Sequence, residues 1–445
     1  MVHKYRLPLG LLLLAACFFV AYFLKRTDTT ALLAVTGLVS VLYALLIWRP
    51  VHPRDYSYFL GLSVVLRLVF LCAFPALSDD VYRFLWDGHL LESGIHPYAY
   101  LPEELMRDRL AGWLTFEELF PHLNSPRYYS LYPPVLQLIF FLSVKCSFGI
   151  PMMAMVNLRL FVLAAELGTF FFLARILQLL HIDRNRIFIY AFNPLIIIEL
   201  TGNLHMEAVM IFFLSAAIYF LLLWRIGWSA VCFALAVSSK VIPLILLPLI
   251  IRRMGLRSGI LFAGLVALVC IALLLPFVDH GLLSHLADSF GLYFQQFEFN
   301  ASVYYLLKWL ECRLTGQETI RVTSLLLPML SMSVVLWLSL RTRRNDSWRI
   351  VLASALSILC TYYVCSPVVH PWYLAFAVML SVFAPFRYAL VWSMLAFLSY
   401  AHYAVFPYRE PVVLLWIEYL AVAAVMLWEY RRSVGDLERV RDFFT

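Results

Sequence analysis

Long apolar runs separated by short polar breaks recur along the whole chain. They fall at 8–24, 31–48, 58–74, 132–148, 152–180, 187–200, 208–224, 228–251, 259–277, 321–340, 351–366, 372–386, 388–406 and 412–430. Most approach the 17–25 residues that a helix needs to cross the hydrocarbon core of a bilayer. The pattern predicts an all-α, polytopic integral membrane protein with about 12–14 transmembrane helices. Two polar stretches are long enough to carry chemistry outside the helices, 75–131 and 278–320.

Arginines set the expected orientation. Arg49/Arg54, Arg252/Arg253/Arg257, Arg341/Arg343/Arg344/Arg349 and Arg431/Arg432 mark the cytoplasmic side, because cytoplasmic loops are enriched in Lys and Arg. Residues 75–131, 278–320 and the turn around Ser366–His370 then face outward. Single crossings throughout would leave Arg184, Arg186 and Arg225 outside. The preferred arrangement brings them in: 152–180 makes no net crossing, and 228–251 is two half-helices meeting near Lys240. Broken helices are tolerated where they line a cavity.

Composition narrows the class. Of 445 residues 63% are hydrophobic and 14% charged, against roughly 25% charged in soluble domains. A soluble enzyme, a disordered chain and a secreted disulfide scaffold are excluded. The net charge of +7 follows from the basic inner loops, so nucleic acid is not an expected partner. Eight cysteines without a CxxC pair signal neither a disulfide framework nor a zinc site. Met1 to Arg6 and the following apolar run look like a signal peptide without a cleavage site, and are read as an uncleaved first helix. No repeat or linker divides the chain, so residues 1–445 are expected to form one membrane domain.

The 75–131 stretch holds nine acids, four arginines and no lysine. It opens with Ser78 to Gly88, SDDVYRFLWDG. On a helix, Asp80, Arg83 and Asp87 share one face and Val81, Phe84 and Leu85 the other, which predicts an amphipathic helix at the membrane surface. Ser78 reads as its N-cap, and Asp79 and Asp80 as acids favoured in a first turn. The same acids, facing outward directly after a membrane span, could deprotonate a hydroxyl beside a lipid-borne leaving group.

The run Ser78–Gly88, Gly94–Tyr98 (GIHPY) and Tyr132-Pro133-Pro134 together resemble the first outer loop of GT-C glycosyltransferases. Further motifs fit in order: Asn193-Pro194-Leu195 with Gly202 to Glu207, Ser239-Lys240 before Pro243, Phe299 to Ser302, and His370 to Tyr373. The likeness spans roughly 58–390 and is nearest to bacterial polyprenol-phosphate-mannose-dependent mannosyltransferases. The sequence departs from their pattern at His96, where Asn is usual, and at Glu207, where many carry Asp.

The resemblance implies a GT-C fold with a long first outer loop (75–131) that is catalytic and carries amphipathic helices. It implies inverting transfer of a sugar, mannose first, from a polyprenyl-phosphate donor to a lipid-linked or glycan acceptor hydroxyl. The enzyme would be multi-pass in the cytoplasmic membrane, among membrane lipids, with its active site outward. Asp80 matches the general base, with Asp79 sharing the role, holding the acceptor or, if a divalent cation such as Mg or Mn is used, binding it together with Asp80. Lys240, His370 and Arg83 are expected at the donor phosphate, Lys240 because an intramembrane ammonium is functional by default. Arg127 is a further candidate there. His205, Glu207, Asn300, Tyr373 and Tyr132 are expected to bind substrate. Asp87 is expected to be surface structure, and Arg159 with Glu166 a buried charge set. The absence of a Gly-rich phosphate loop agrees with a donor lacking a nucleotide. A polymerase or ligase of lipid-linked glycans would share these features. A flippase would predict internal repeats, which the sequence lacks.

Overall fold

Polar residues inside the apolar runs decide where the helices stop. The computed structural model describes residues 2–48, 51–316, 321–343, 346–405 and 407–435; Arg49 and Arg344 of the basic clusters lie outside them. Its elements are helical, and the extended pairing among the described residues is an isolated parallel bridge between Phe299 and Val368. Among the described residues six helices are long and apolar enough to cross a bilayer: Thr29–Trp48, Pro151–Leu179, Leu256–Phe277, Thr323–Arg341, Trp348–Cys365 and Val412–Arg432. The pair Ile196–Gly202 and Glu207–Leu222, bent by 111°, makes a seventh, broken span. Leu7–Tyr22, Pro134–Lys145, Ile226–Val237 and Pro371–Ser381 are apolar but shorter. The chain is a multi-pass membrane protein.

Full-length spans are fewer than the sequence pattern suggests, because several runs are interrupted. The 228–251 run breaks after Ile226–Val237 and resumes in a 3-10 turn at Ile242–Leu246 and a helix at Leu247–Met254. The interruption falls at Lys240, as expected. The 187–200 run divides into Ile187–Ala191 and a π-helical Ile196–Gly202. Between them Pro194 lacks an amide donor, and Asn193 Oδ1 accepts from Leu195 N at 3.0 Å.

Contacts sort the helix ends into two sets. At one end, Arg349 Nε donates to Leu180 O at 2.9 Å, Arg186 Nε to Val382 O at 2.7 Å and Arg252 Nε to Thr342 O at 3.2 Å. At the opposite end, Tyr22 donates to Val69 O, Val135 N to Ser238 O, and Val369 N to Phe299 O. The helix Pro151–Leu179 joins the two. Its Arg159 donates to Leu71, Thr201 and Gly202 carbonyls at 2.9, 2.9 and 3.1 Å, while the residue after its last turn meets Arg349.

This corrects the preferred topology. The 152–180 segment is one unbroken helix of 29 residues, about 44 Å long, and it does run from end to end. Pro134–Lys145 is the helix that fails to cross. It has 12 residues, about 18 Å, and lies beside Asp80–Glu92. Tyr132 meets Phe84 at 5.0 Å at one end, and Lys145 Nζ lies 3.6 Å from Glu92 Oε1 at the other. Arg184 and Arg186 therefore reach the arginine-rich end by a different turn-back. Gly88 permits this close packing, since a Cβ there would sit 2.7 Å from Phe140 O.

The Asp80–Glu92 helix is not a surface helix. Val81, Phe84 and Leu85 are buried on one side, but Arg83, Trp86 and Asp87 are buried too. The rest of the loop folds over it, packing Leu105, Leu110, Phe116 and Leu123 around Trp86. Asp87, expected at the surface, is fully buried, paired with Arg83 Nε at 2.9 Å and hydrogen-bonded by Ser130 and Gln137. Arg159 and Glu166 are both buried, yet they do not pair with each other. Glu166 takes Arg67 through two bonds of 2.9 and 3.1 Å, and Thr201 as well.

Candidate functional site

At the end opposite the arginines, the 75–131 and 278–320 stretches roof a cavity of about 660 Å³. Asp79, Asp80, Arg83, Tyr132, Lys240, His370 and Tyr373 all line it, so one space collects residues spread over nearly 300 positions of sequence.

Asp80 is placed by the start of its helix. Its amide donates to Ser78 Oγ at 3.3 Å, and Asp79 occupies the N-cap without a side-chain capping bond. The two neighbouring acids consequently diverge. Asp79 Oδ2 lies 2.6 Å from Arg26 Nη1. Asp80 Oδ1 accepts from Asn124 Nδ2 at 2.9 Å, and its Oδ2 faces His205 Nδ1 at 3.8 Å. With 22% of its side chain exposed, Asp80 is open to the cavity. It is an acceptor-only group with one oxygen anchored, which suits it to take a proton.

The helix breaks supply the cationic and aromatic parts. Lys240, just past the end of Ile226–Val237, pairs with Glu207 Oε1 at 2.8 Å and lies 5.8 Å from the Tyr373 ring centre. His205 stands at the 111° bend, after Leu204 takes a left-handed φ of 61°, a conformation that costs a non-glycine residue of order 1 kcal/mol. Its ring stacks on Trp372 at 3.7 Å, Trp372 stacks on His370 at 4.3 Å, and His370 meets Phe299 at 4.6 Å. Burial pushes His370 down to about 3, helped by the neighbouring His205, Lys240 and His402. Burial thus favours the neutral ring, and its Nδ1 has no hydrogen-bond partner among the described residues.

Several expected contacts fall elsewhere. Arg83 touches the cavity, but its guanidinium holds Asp87 and the Ser125 and Tyr128 carbonyls at 3.1 and 3.0 Å, so it ties the loop to the helix. Arg127 pairs at the surface with Glu103. His205 and Glu207 lie behind the lining, under Trp372 and Lys240 respectively. Asn300 turns away and donates to Glu418 Oε1 at 3.0 Å. His96 bonds the Phe277 carbonyl at 2.9 Å, joining the two outer loops. The two adjacent acids do not fit a cation site, because Asp79 turns to Arg26 and Asp80 to Asn124. Among the described residues no group of three His, Cys, Asp or Glu is arranged to hold a metal ion.

Arg26 and Asn124 also line the cavity and Glu199 lies buried behind it, and none of the three is among the residues expected from sequence. Arg26 sits in the short polar break after the first run and looks like an ordinary flank. Asn124 lies in a loop 44 residues from the carboxylate it anchors. Glu199 carried a usable signal, since a carboxylate within an apolar run is a functional candidate.

Neither the curated proteins nor the solved structures yield a match to this chain. A family model, described as MptA_B family, alpha-(1->6)-mannopyranosyltransferase, N-terminal domain, matches residues 13–255. That stretch contains Asp80, Asn124, Tyr132, His205 and Lys240 and ends before the His370 turn. The chain belongs to the alpha-(1->6)-mannopyranosyltransferase family and is a membrane mannosyltransferase.

Proposed function

We propose that this enzyme transfers mannose from a polyprenyl-phosphate donor to a hydroxyl of a lipid-linked or glycan acceptor, using a GT-C site on the outer face of the cytoplasmic membrane. The bond formed is α-(1→6), following the description of the family. Transfer is inverting, so an α product requires a β-configured donor. The acceptor oxygen attacks C1 opposite the phosphate. Asp80 takes the hydroxyl proton, and the C1–O bond to phosphate breaks with its electron pair.

The observation that carries this reading is that Asp80 and Lys240 line one cavity. A base and a phosphate-attracting cation are what a direct displacement at a glycosyl phosphate needs. His370 supports it as an N–H donor to phosphate oxygens, its Nδ1 having no hydrogen-bond partner among the described residues. Tyr132 and Tyr373 give the sugar apolar walls. A lipid donor also accounts for a site set at the ends of membrane helices. The outward orientation rests on the arginine-rich end being cytoplasmic.

Purified protein in nanodiscs, given polyprenyl-phosphate mannose and an α-mannoside, tests the reading. Transfer from that donor is expected, with much less from polyprenyl-phosphate glucose and none from GDP-mannose. Efficient use of the nucleotide sugar alone would overturn the donor assignment. Normal transfer by a well-folded Asp80→Asn enzyme would overturn the base.

A further inference from the structure

Glu199 is fully buried in the π-helical segment, and the reaction as proposed gives it no part. Tyr400 donates to its Oε1 at 2.8 Å and Asn203 to its Oε2 at 3.1 Å, both neutral donors. A carboxylate so deeply buried favours a neighbour that can take up positive charge. The group in that position is His205, whose Nε2 lies 3.4 Å from Glu199 Oε2. The other ring nitrogen of His205 faces Asp80 Oδ2 at 3.8 Å. The imidazole thus stands between the proposed base and a buried carboxylate. Trp372 covers its face, and His370 lies beyond that ring.

We propose that Asp80, His205 and Glu199 form a proton relay that draws the acceptor's proton away from the cavity. This rests on the reading of Asp80 as the base. In the relay His205 turns Nε2 towards Glu199 and Nδ1 towards Asp80, the two carboxylates its ring nitrogens already face. As the acceptor O–H bond breaks and the O–C1 bond forms, Asp80 takes the proton and passes it from Oδ2 to Nδ1. The resulting imidazolium is balanced by Glu199, and its proton returns to water after product leaves. At 3.4 and 3.8 Å neither contact is a hydrogen bond at rest, and the relay requires both to shorten when substrate binds. His205 and Glu199 touch neither sugar nor phosphate and act through Asp80 as positioning residues.

The test compares two nucleophiles in the full-length enzyme with polyprenyl-phosphate mannose as donor. An acceptor hydroxyl must lose a proton, whereas azide ion carries none. Glu199→Gln is expected to lower kcat for the hydroxyl acceptor by about thirtyfold or more, with both KM values within about twofold, and to leave mannosyl azide formation near wild type. Glu199→Asp should restore most of the loss. Tyr400→Phe, a milder change that removes one bond to Glu199, should show the same selective loss at about three- to tenfold, and it carries the test if Glu199→Gln does not fold. Equal losses with azide and with the hydroxyl, or no loss with the hydroxyl, overturn the relay. Asp80→Asn in the same assay judges the base separately, so the two assignments fail independently.

Discussion

Nζ of Lys240 lies 2.8 Å from Oε1 of Glu207, so the ammonium in the cavity wall is already partly neutralised before any donor binds. Glu207 is almost fully buried and Lys240 is 27% exposed. Removing the lysine alone would strand a buried carboxylate, which typically costs 3–5 kcal/mol.

Lys240→Met is therefore expected to lower both Tm and transfer. The double variant Lys240→Met/Glu207→Gln should recover most of the stability and none of the donor affinity, with KM for donor raised at least about tenfold, the equivalent of losing one charge-assisted contact. Melting curves and donor titrations in nanodiscs separate the two effects. Recovery of transfer by the double variant would remove Lys240 from the phosphate site.

Asn124 holds one oxygen of Asp80 from a loop 44 residues away. A hydrogen bond to a charged group contributes about 1.5–3 kcal/mol. Asn124→Ala should accordingly reduce kcat roughly ten- to a hundredfold, with KM little changed and the melting point close to wild type. A rise in acceptor KM at constant kcat would instead make Asn124 a substrate ligand.

Arg83 distinguishes loop architecture from phosphate binding. Because it joins Asp87 to the Ser125 and Tyr128 carbonyls in a buried setting, Arg83→Leu should destabilise the outer loop by about 3 kcal/mol. The expected readout is accelerated proteolysis between residues 101 and 130, seen without any substrate. Unaltered protease resistance with a raised donor KM would return Arg83 to the phosphate.

His370 sets an acid limit on stability. Its folded value of about 3 lies below the 6.5 of a free histidine, because the buried ring resists charge. The unfolded chain therefore binds a proton between those values that the native protein does not. This contribution is present above about pH 6.5 and is lost as pH falls towards 3. His370→Phe should flatten the decline in Tm between pH 6.5 and 4, and a decline of unchanged slope would count against a neutral buried ring.

Much of the site could be read in the chain, because local rules reach it. Asp80, Lys240, His370, Tyr132 and Tyr373 each stand at a polar or aromatic interruption of an apolar run, and all five line the cavity. The breaks at Lys240 and at Asn203–Met206 follow from the same interruptions. Residues defined by distant partners were not legible. Nothing near Asn124 or Arg26 announces a carboxylate, and a helical wheel for Asp80–Glu92 assumes water where the loop and Pro134–Lys145 pack. That omission turned Asp87 into a surface residue and Arg83 into a free cation. The missing crossing has the same origin, since hydropathy measures how apolar Pro134–Lys145 is and not which way it leaves Asp80.

The pairing of Arg67 with Glu166 bears on how the protein is made. The partners are 99 residues apart and sit in separate helices, each of which would carry an unpaired charge if it were placed alone. Synthesis delivers Arg67 first, and the whole 75–131 stretch follows before Glu166 appears. The Tyr56–Leu68 segment is thus not a self-sufficient membrane anchor. Its charge is matched only when Pro151–Leu179 packs beside it, so the stretch bearing Asp80 is bracketed by an ion pair that forms late in synthesis.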